Sequence, residues 1–506
     1  MRMFMGYLLG VDVGTTSVKC VLFNQKGEII ASSRSEYALS MPQPEFVEVE
    51  AETYWNAFKD SLKNVLNKSK IDIQSISGIA VSSQGETFIP IGRDGKPLRK
   101  AIVWLDNRSK MEADVLRKEF GVDTVYRITG QNDVIPTWTA TKILWLKKNE
   151  PMLFERVHKY LLVEDYMIYK LTGEYVTEYS VVCSSLLFDI SRRKWWSDIL
   201  DFIGITEDQL PKLKPSGTFV GNITPEVAEE IGLHTDTIVS TGAYDQAANA
   251  IGVGNIEPGI VTETTGAALA IVATTDHMVL DPMRRVPCHH HAVEGRYFLQ
   301  PWCHTAGALL KWYRDNFGLV EVEFANKIGV DPYDLLTLEA SKAPPGSNGL
   351  ILLPYFAGAA SPEFNPSARG VLFGLTLYHG RSHIVRAILE SIAYMLRSNI
   401  ELLEELGIKV KEVRSTGGGA RSRLWNQIKA DVLQKPILTL RCEETAALGV
   451  AILAGVATGV FNSIREAVES MVSINEVISP SEANRDIYGR QYSRYVKLYR
   501  TVEALF

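Results

Sequence analysis

The chain is poor in cysteine, with five among 506 residues. Cys20, Cys183, Cys288, Cys303 and Cys442 lie far apart and form no Cys-x-x-Cys pair, which argues against a disulfide framework and a zinc ribbon. There is no basic excess either: 53 Lys and Arg stand against 59 Asp and Glu, and the formal net charge of −6 offers nothing to a nucleic-acid backbone. Long uninterrupted apolar runs are missing, so no segment reads as a membrane span. The opening, Met1–Gly10, is too short for a signal peptide before it becomes a strand. These absences lead to the expectation of a cytoplasmic protein with neither nucleic-acid nor membrane partners. Hydrophobic content of 46% with 22% charged residues is ordinary for a globular chain, and 506 residues exceed what one core accommodates.

What is present alternates strand and helix. Hairpin strands are expected over roughly 6–38. A helix over Glu50–Asn67 follows from the spacing of Tyr54, Trp55, Phe58, Leu62 and Val65, and a buried strand from Ile76 to Ser82. Pro136–Lys148 and Leu161–Leu171 read as helices, the second stopped by Thr172-Gly173. Thr237–Thr241 reads as a strand leading into a small-residue helix, Ala243–Ile251. The pattern then begins again with strand, polar turn and strand over Gly259–Thr274. Helices follow at 304–316, 380–405 and 422–434, with strands at 349–353, 411–416 and 436–440. An Ala- and Gly-rich helix, Ala446–Thr458, suits tight burial. Gly252, Gly254, Pro258 and Gly259 place a boundary near 250–258, giving expected domains of 1–252 and 253–506 with a cleft between two similar α/β halves.

Three Gly/Thr turns carry the chemistry. In the first, Asp12 ends a strand and Gly14-Thr15-Thr16-Ser17 turns into a second strand holding Lys19. Backbone N–H groups, three hydroxyls and a lysine suit a phosphate, and the carboxylate suits its metal. The spacing is not that of a Walker loop, and taken alone the segment is equally a hairpin with a polar turn. The second turn is Thr264-Thr265-Gly266. The third is Gly417-Gly418-Gly419, which allows close approach of a ligand ahead of a helix N-terminus. Asp245, where a strand gives way to a helix, is the candidate base for a substrate hydroxyl. A helix start favours its anion, and plain helix capping is the alternative reading.

With these residues in place, the chain resembles the FGGY family of carbohydrate kinases. Gly10-Val-Asp12-Val-Gly14-Thr-Thr-Ser17 is similar to its first phosphate motif, Thr264-Thr265-Gly266 to the second, and Ser415-Thr-Gly-Gly-Gly419-Ala-Arg-Ser422 to its adenosine motif. Gly370-Val-Leu-Phe-Gly374-Leu375 with His383-Ile-Val-Arg-Ala387-Ile-Leu-Glu390 matches the C-terminal signature. Thr139-Ala-Thr-Lys142-Ile-Leu-Trp145-Leu146 nearly completes the other, with Thr137 at a position more often glycine, serine or aromatic. The resemblance implies two actin-like/ribonuclease-H-like ATPase domains with an interdomain cleft, ATP and Mg2+ as cofactors, a small sugar or polyol as substrate, and an assembly that admits a homodimer. It implies Asp245 as base and Gln246 as its neighbour at the substrate. Asp12, near magnesium and the phosphates, makes up with Asp245 the expected metal set. Thr15, Thr16, Thr265, Gly307 and Gly419 fall where the family contacts ADP or ATP; Gly14, Ser17, Lys19, Thr264, Gly266 and Gly418 complete the expected nucleotide set.

The sugar pocket is expected at Gln84, Gly85, Glu86, Trp104, Asp106, Asp245 and Gln246. Ser82-Ser-Gln84-Gly85-Glu86-Thr87 stands where many xylulokinases read Gln-Met-His and glycerol kinases Gln-Arg-Glu-Thr. Gly85 and Thr137 are expected to leave room for a substrate longer than glycerol, and an anionic Glu86 to accept hydroxyls and repel a carboxylate. Trp104 reads equally as a core aromatic. The expected reaction is phosphorylation of a terminal hydroxyl of a neutral pentulose such as D-xylulose. An erythritol-type or gluconate kinase and a silent nucleotide sensor are the alternatives. Cys288-His289-His290-His291 with Cys303-His304 is expected to be strand rather than a metal site. Arg192-Arg193-Lys194-Trp195-Trp196 is expected to be a helix start at the surface.

Overall fold

The computed structural model describes residues 6–506, so the first five residues of the Met1–Gly10 opening lie outside the described residues. The chain divides into two compact units. One takes the residues up to Ile256 together with Thr275–Phe298 and Glu444–Ser473. The other takes Glu257–Thr274, Leu299–Glu443 and Ile474–Phe506. This division by compactness differs from a single cut at 252/253, because two later segments return to the first unit.

In the first unit, β1 (Tyr7–Val13), β2 (Ser17–Phe23) and β3 (Ile29–Glu36) form an antiparallel meander, followed by α1 (Ala51–Ser69) and β4 (Ile76–Ser83). Further along come α2 (Thr139–Asn149), α3 (Val163–Thr172), β5 (Phe219–Asn222), β6 (Ile238–Ser240), β7 (Ala243–Tyr244) and α4 (Asp245–Gly252). The sheet order is β5-β6-β4-β1-β2-β3, and β7 also pairs with β4. Strands β1, β6 and β7 all run parallel to β4. Parallel strands covered on both faces read as near-continuous apolar runs, which is why Leu8, Leu9, Val11 and Val13 are all fully buried. Helix α1 buries Tyr54, Trp55, Phe58, Leu62 and Val65 in the same core. The Thr445–Ala457 helix packs on α4 and β1 through glycines. A Cβ at Gly10 would lie 2.0 Å from the Ala447 carbonyl oxygen, and one at Gly449 1.9 Å from that of Ala248.

The second unit repeats the plan of a hairpin with a parallel neighbour. Strands β8 (Ile260–Thr265) and β9 (Leu269–Thr275) form the hairpin. β10 (Glu412–Thr416) runs parallel to β8, and after α5 (Arg423–Leu433) β11 (Ile437–Leu440) runs parallel to β10. Strand β12 (Ile474–Ile478) closes the order β9-β8-β10-β11-β12. Among the described residues, no helix is long and apolar enough to cross a membrane.

Two expectations fail locally. The Leu161–Leu171 helix begins late, because Lys159–Leu162 is a strand paired with Phe88–Ile91, and cross-strand pairing overrides the helical spacing. Its stop at Gly173 holds, with φ +79°. Arg192–Trp196 first closes a hairpin, Phe188–Asp189 against Lys194–Trp195, and only at Trp196 leads into a helix, Ser197–Ile203. Arg193 turns the chain at φ +55°, and both tryptophans are buried. Cys288–His290 is a strand.

Candidate active site

Register builds the site in the first unit. Asp12 on β1 lies opposite Ser82 on β4, and Ser82 opposite Ala243 on β7. The C-terminal ends of three mutually parallel strands therefore deliver Asp12, the Gln84–Glu86 turn and Asp245 to one edge, where open α/β sheets bind their ligands. Ser82 Oγ donates to Asp12 Oδ1 at 2.9 Å, and Gln84 N to Val13 O at 3.1 Å. Asp245 opens α4 and is half-buried, and its Oδ1 is enclosed without a hydrogen-bond partner. The helix start was expected to favour its anion. Instead burial, reinforced by the charges of Asp12 and Glu86, pushes the carboxyl up to about 8 against hydrogen bonds from Gln246. Burial likewise raises Asp12, opposed by Ser82 and Lys19.

The turn beside it is strained. Glu86 holds φ +60°, a left-handed conformation costly for a residue with a side chain. Thr87 N bonds back to Gly85 O at 2.6 Å, and Thr139 Oγ1 donates to Glu86 O at 3.2 Å. Burial raises the Glu86 carboxyl, and a hydrogen bond with Ser184 and the charge of Lys142 oppose it. Lys142 on α2 is wholly buried, donates to Val103 O at 3.0 Å, and is lowered by burial while Glu86 and Asp106 sustain its charge. Trp104 is half-buried, donating Nε1 to Thr15 Oγ1 and its backbone N–H to Thr87 Oγ1, both at 3.0 Å. Gln84 donates Nε2 to Tyr54 at 3.1 Å, leaving Oε1 enclosed and unpartnered, as is Gln246 Oε1.

In the second unit three expected features converge on Thr265. Gly307 N, at the start of the Gly307–Phe317 helix, donates to Gly266 O at 2.9 Å, and a Cβ there would meet that oxygen at 2.5 Å. Cβ atoms on Gly417 and Gly419 would meet Thr265 O at 2.8 Å and Thr265 Cγ2 at 2.5 Å. Gly418 faces open space. Beneath them lies a wholly buried ion pair, Lys429 Nζ to Glu263 Oε1 at 2.6 Å.

Several expected roles are corrected by these contacts. Asp106 has no oxygen to offer a substrate, since Oδ1 accepts from Arg108 N and Nε, and Oδ2 from Arg108 Nη2 and Val47 N. Lys19 keeps its place beside the first turn, opposite Asp12 in the hairpin, and there pairs with Glu444. The Thr265 hydroxyl is occupied, donating to Glu263 Oε2 at 2.7 Å and accepting from Lys429 at 3.0 Å. Gly85 does not open the pocket: a Cβ there would meet Ser184 Oγ at 2.6 Å and the Tyr244 ring at 3.2 Å. Thr137 is half-buried in the loop before α2, Gly14, Thr15 and Ser17 are partly covered in their turn, Thr16 is exposed, and Thr264 Oγ1 lies 2.9 Å from Thr416 Oγ1. The histidine run is claimed by the fold. His290 Nε2 bonds Ile190 O and His291 Nε2 bonds Asn255 O, while His289 stacks between Tyr244 and Phe298. Sequence reasoning missed Lys142, Ser184 and the Glu263–Lys429 pair. Lys142 lies within the Thr139–Leu146 signature, which carries no sign of its partner Glu86, and no local spacing joins residues 263 and 429.

The model of the FGGY family of carbohydrate kinases, N-terminal domain, matches residues 7–252, and that of the C-terminal domain matches residues 260–458. The chain is 32% identical to a gluconokinase of Bacillus licheniformis, over 98% of this chain and 96% of that one. It is also 32% identical to a xylulose kinase of Bacillus subtilis, over 99% and 98%. A ligand-bound xylulose kinase from Lactobacillus acidophilus superposes with a TM-score of 0.89 at 27% identity, covering 99% of both chains. The fold is accordingly the two-domain, actin-like fold of these sugar kinases. The chain belongs to the FGGY family of carbohydrate kinases and is a phosphotransferase.

Proposed function

We propose that the chain transfers the terminal phosphoryl group of ATP to a hydroxyl of a small neutral sugar, with Asp245 taking the hydroxyl proton. The observation that carries this reading is the set of enclosed, unpartnered oxygens at Asp245 Oδ1, Gln246 Oε1 and Gln84 Oε1. All three are acceptors, and a buried acceptor without a donor costs about 1–3 kcal/mol. A polyhydroxylated ligand supplies O–H donors to each. Asp245, raised to about 8, is a base near its working pH, strong enough to accept a proton and weak enough to release it.

Asp12 and Asp245 fit a hard divalent cation, since both are oxygen ligands and the charge of Asp12 raises the buried Asp245 carboxyl, a penalty that a cation would relieve. Magnesium held there would neutralise charge on the phosphoryl oxygens. Within the second unit, Gly418 faces open space after the Gly417 turn, which supports close approach of a nucleotide there. Asp12, Glu86 and Asp245 together disfavour a substrate carboxylate, so gluconate is a poorer candidate than a neutral ketose or polyol of about four to six carbons. D-xylulose is the first to test and erythritol the second. ADP release measured with each sugar, for the native chain and for Asp245→Asn, tests the reading. Sugar-stimulated release that vanishes in the variant supports it, and equal release from both proteins sinks it.

A further inference from the structure

A side chain left outside the proposed chemistry decides the shape of the pocket. Tyr244 immediately precedes Asp245, and its ring stands where any side chain at position 85 would project. A Cβ on Gly85 would come within 3.2 and 3.5 Å of two ring carbons. The ring is not a loose surface group. It stacks face to face on His289, with centroids 5.8 Å apart and planes 3° from parallel, and His289 stacks in turn on Phe298 at 5.1 Å and 9°. The imidazole is held neutral by burial, with its pKa lowered to about 3, so the stack carries no charge of its own. The backbone behind the ring is fixed as well. Ser180 Oγ accepts from Tyr244 N at 3.0 Å and donates to Glu178 Oε1 at 2.8 Å, and Gly242 N donates to Glu164 Oε1 at 2.8 Å. His289, the first of the buried histidines, thus backs one half-buried tyrosine.

We propose that the Tyr244 ring, backed by His289 and Phe298, is the wall that sets how much of a sugar fits beside Asp245, and that it receives the C–H face of the substrate. Gly85 and Tyr244 act as a size-complementary pair, the glycine giving the ring its place. The substrate class that follows is a short neutral sugar or polyol with hydroxyls toward Gln84, Asp245 and Gln246 and carbon-bound hydrogens toward the ring. This inference rests on the phosphotransfer reading above and adds to it a determinant of chain length.

The test is a kinetic panel of glycerol, erythritol, D-xylulose, D-fructose and D-sedoheptulose with the native chain, Tyr244→Phe and Tyr244→Ala. Tyr244→Phe keeps the wall and should stay within about threefold of the native KM for the best sugar. Tyr244→Ala should raise that KM by about tenfold or more, the factor corresponding to 1.4 kcal/mol. The KM for ATP should stay unchanged, and the preference should move toward longer members of the panel. Gly85→Ala gives a second handle, because its methyl would crowd Ser184 Oγ at 2.6 Å and press on the ring at 3.2 Å, and it should raise the sugar KM alone. A Tyr244→Ala protein with native ATP KM, native sugar KM and an unmoved chain-length order overturns the proposal. If Tyr244→Ala does not fold, Tyr244→Leu and Gly85→Ala carry the same test, and native chain-length order in both overturns it equally. Should no sugar in the panel stimulate ADP release by the native chain, the phosphotransfer reading is the one that falls.

Discussion

Replacing Asp245 with asparagine should make the protein more stable while destroying its activity. The carboxyl is raised from 3.8 to about 8 by burial and by the neighbouring Asp12 and Glu86 charges. Between those values the folded protein holds a proton that the unfolded chain has released, so stability falls as pH rises from about 4 to about 8. At pH 7 the penalty has a ceiling of about 4 kcal/mol, and partial solvent access brings the working range to about 1–4 kcal/mol. Asparagine does not titrate, so the variant escapes this cost, and its thermal midpoint should exceed the native one by a few degrees at pH 8. The difference should be near zero at pH 4 and grow with pH. Activity should fall by about 10²–10⁴-fold, the usual worth of a positioned general base. Thermal melts at four pH values between 4.5 and 8, paired with ADP release at each, measure both effects. A midpoint difference that shrinks as pH rises would refute the sign of the shift. Equal stability throughout would refute the assignment of the strain to Asp245.

In the native chain, kcat/KM should climb with pH along a limb centred near 8, where Asp245 becomes a base. Glu86→Gln removes a like charge and should move that limb to lower pH, raising the sugar KM while leaving the KM for ATP alone. Lys429→Met strands the buried Glu263 carboxylate and should cost about 3–5 kcal/mol, with the KM for ATP raised; Lys429→Met with Glu263→Leu should recover most of the stability, as read by urea unfolding. Gly449→Ala drives a methyl into the Ala248 carbonyl and should destabilise the first unit by about 1–3 kcal/mol, measurable as a lower thermal midpoint.

The hairpin turns and strand-to-helix junctions were legible because their residues act locally. Asp12 sits at the end of a strand, Asp245 starts a helix, and the glycine run Gly417–Gly419 lets the chain pack against Thr265 while Gly418 faces open space. What was illegible depends on partners far along the chain. Gly85 read as free room until Tyr244, 159 positions later in the chain, filled it. Asp106 read as a pocket carboxylate until Arg108 and Val47 took both its oxygens. Asp245 read as a stabilised anion from its helix position alone, whereas two carboxylates from other strands and the loss of water reverse that preference. The Leu161–Leu162 pair read as helix because spacing cannot register a neighbouring strand.

The most direct test of the central claim follows both products of one reaction. Incubate the native chain with Mg-ATP and D-xylulose, with erythritol in parallel, and quantify ADP and phosphorylated sugar by mass spectrometry. The expected result is one sugar phosphate for each ADP, and neither product above background with Asp245→Asn. ADP formed without any sugar phosphate, or sugar phosphate formed undiminished by Asp245→Asn, would contradict the account.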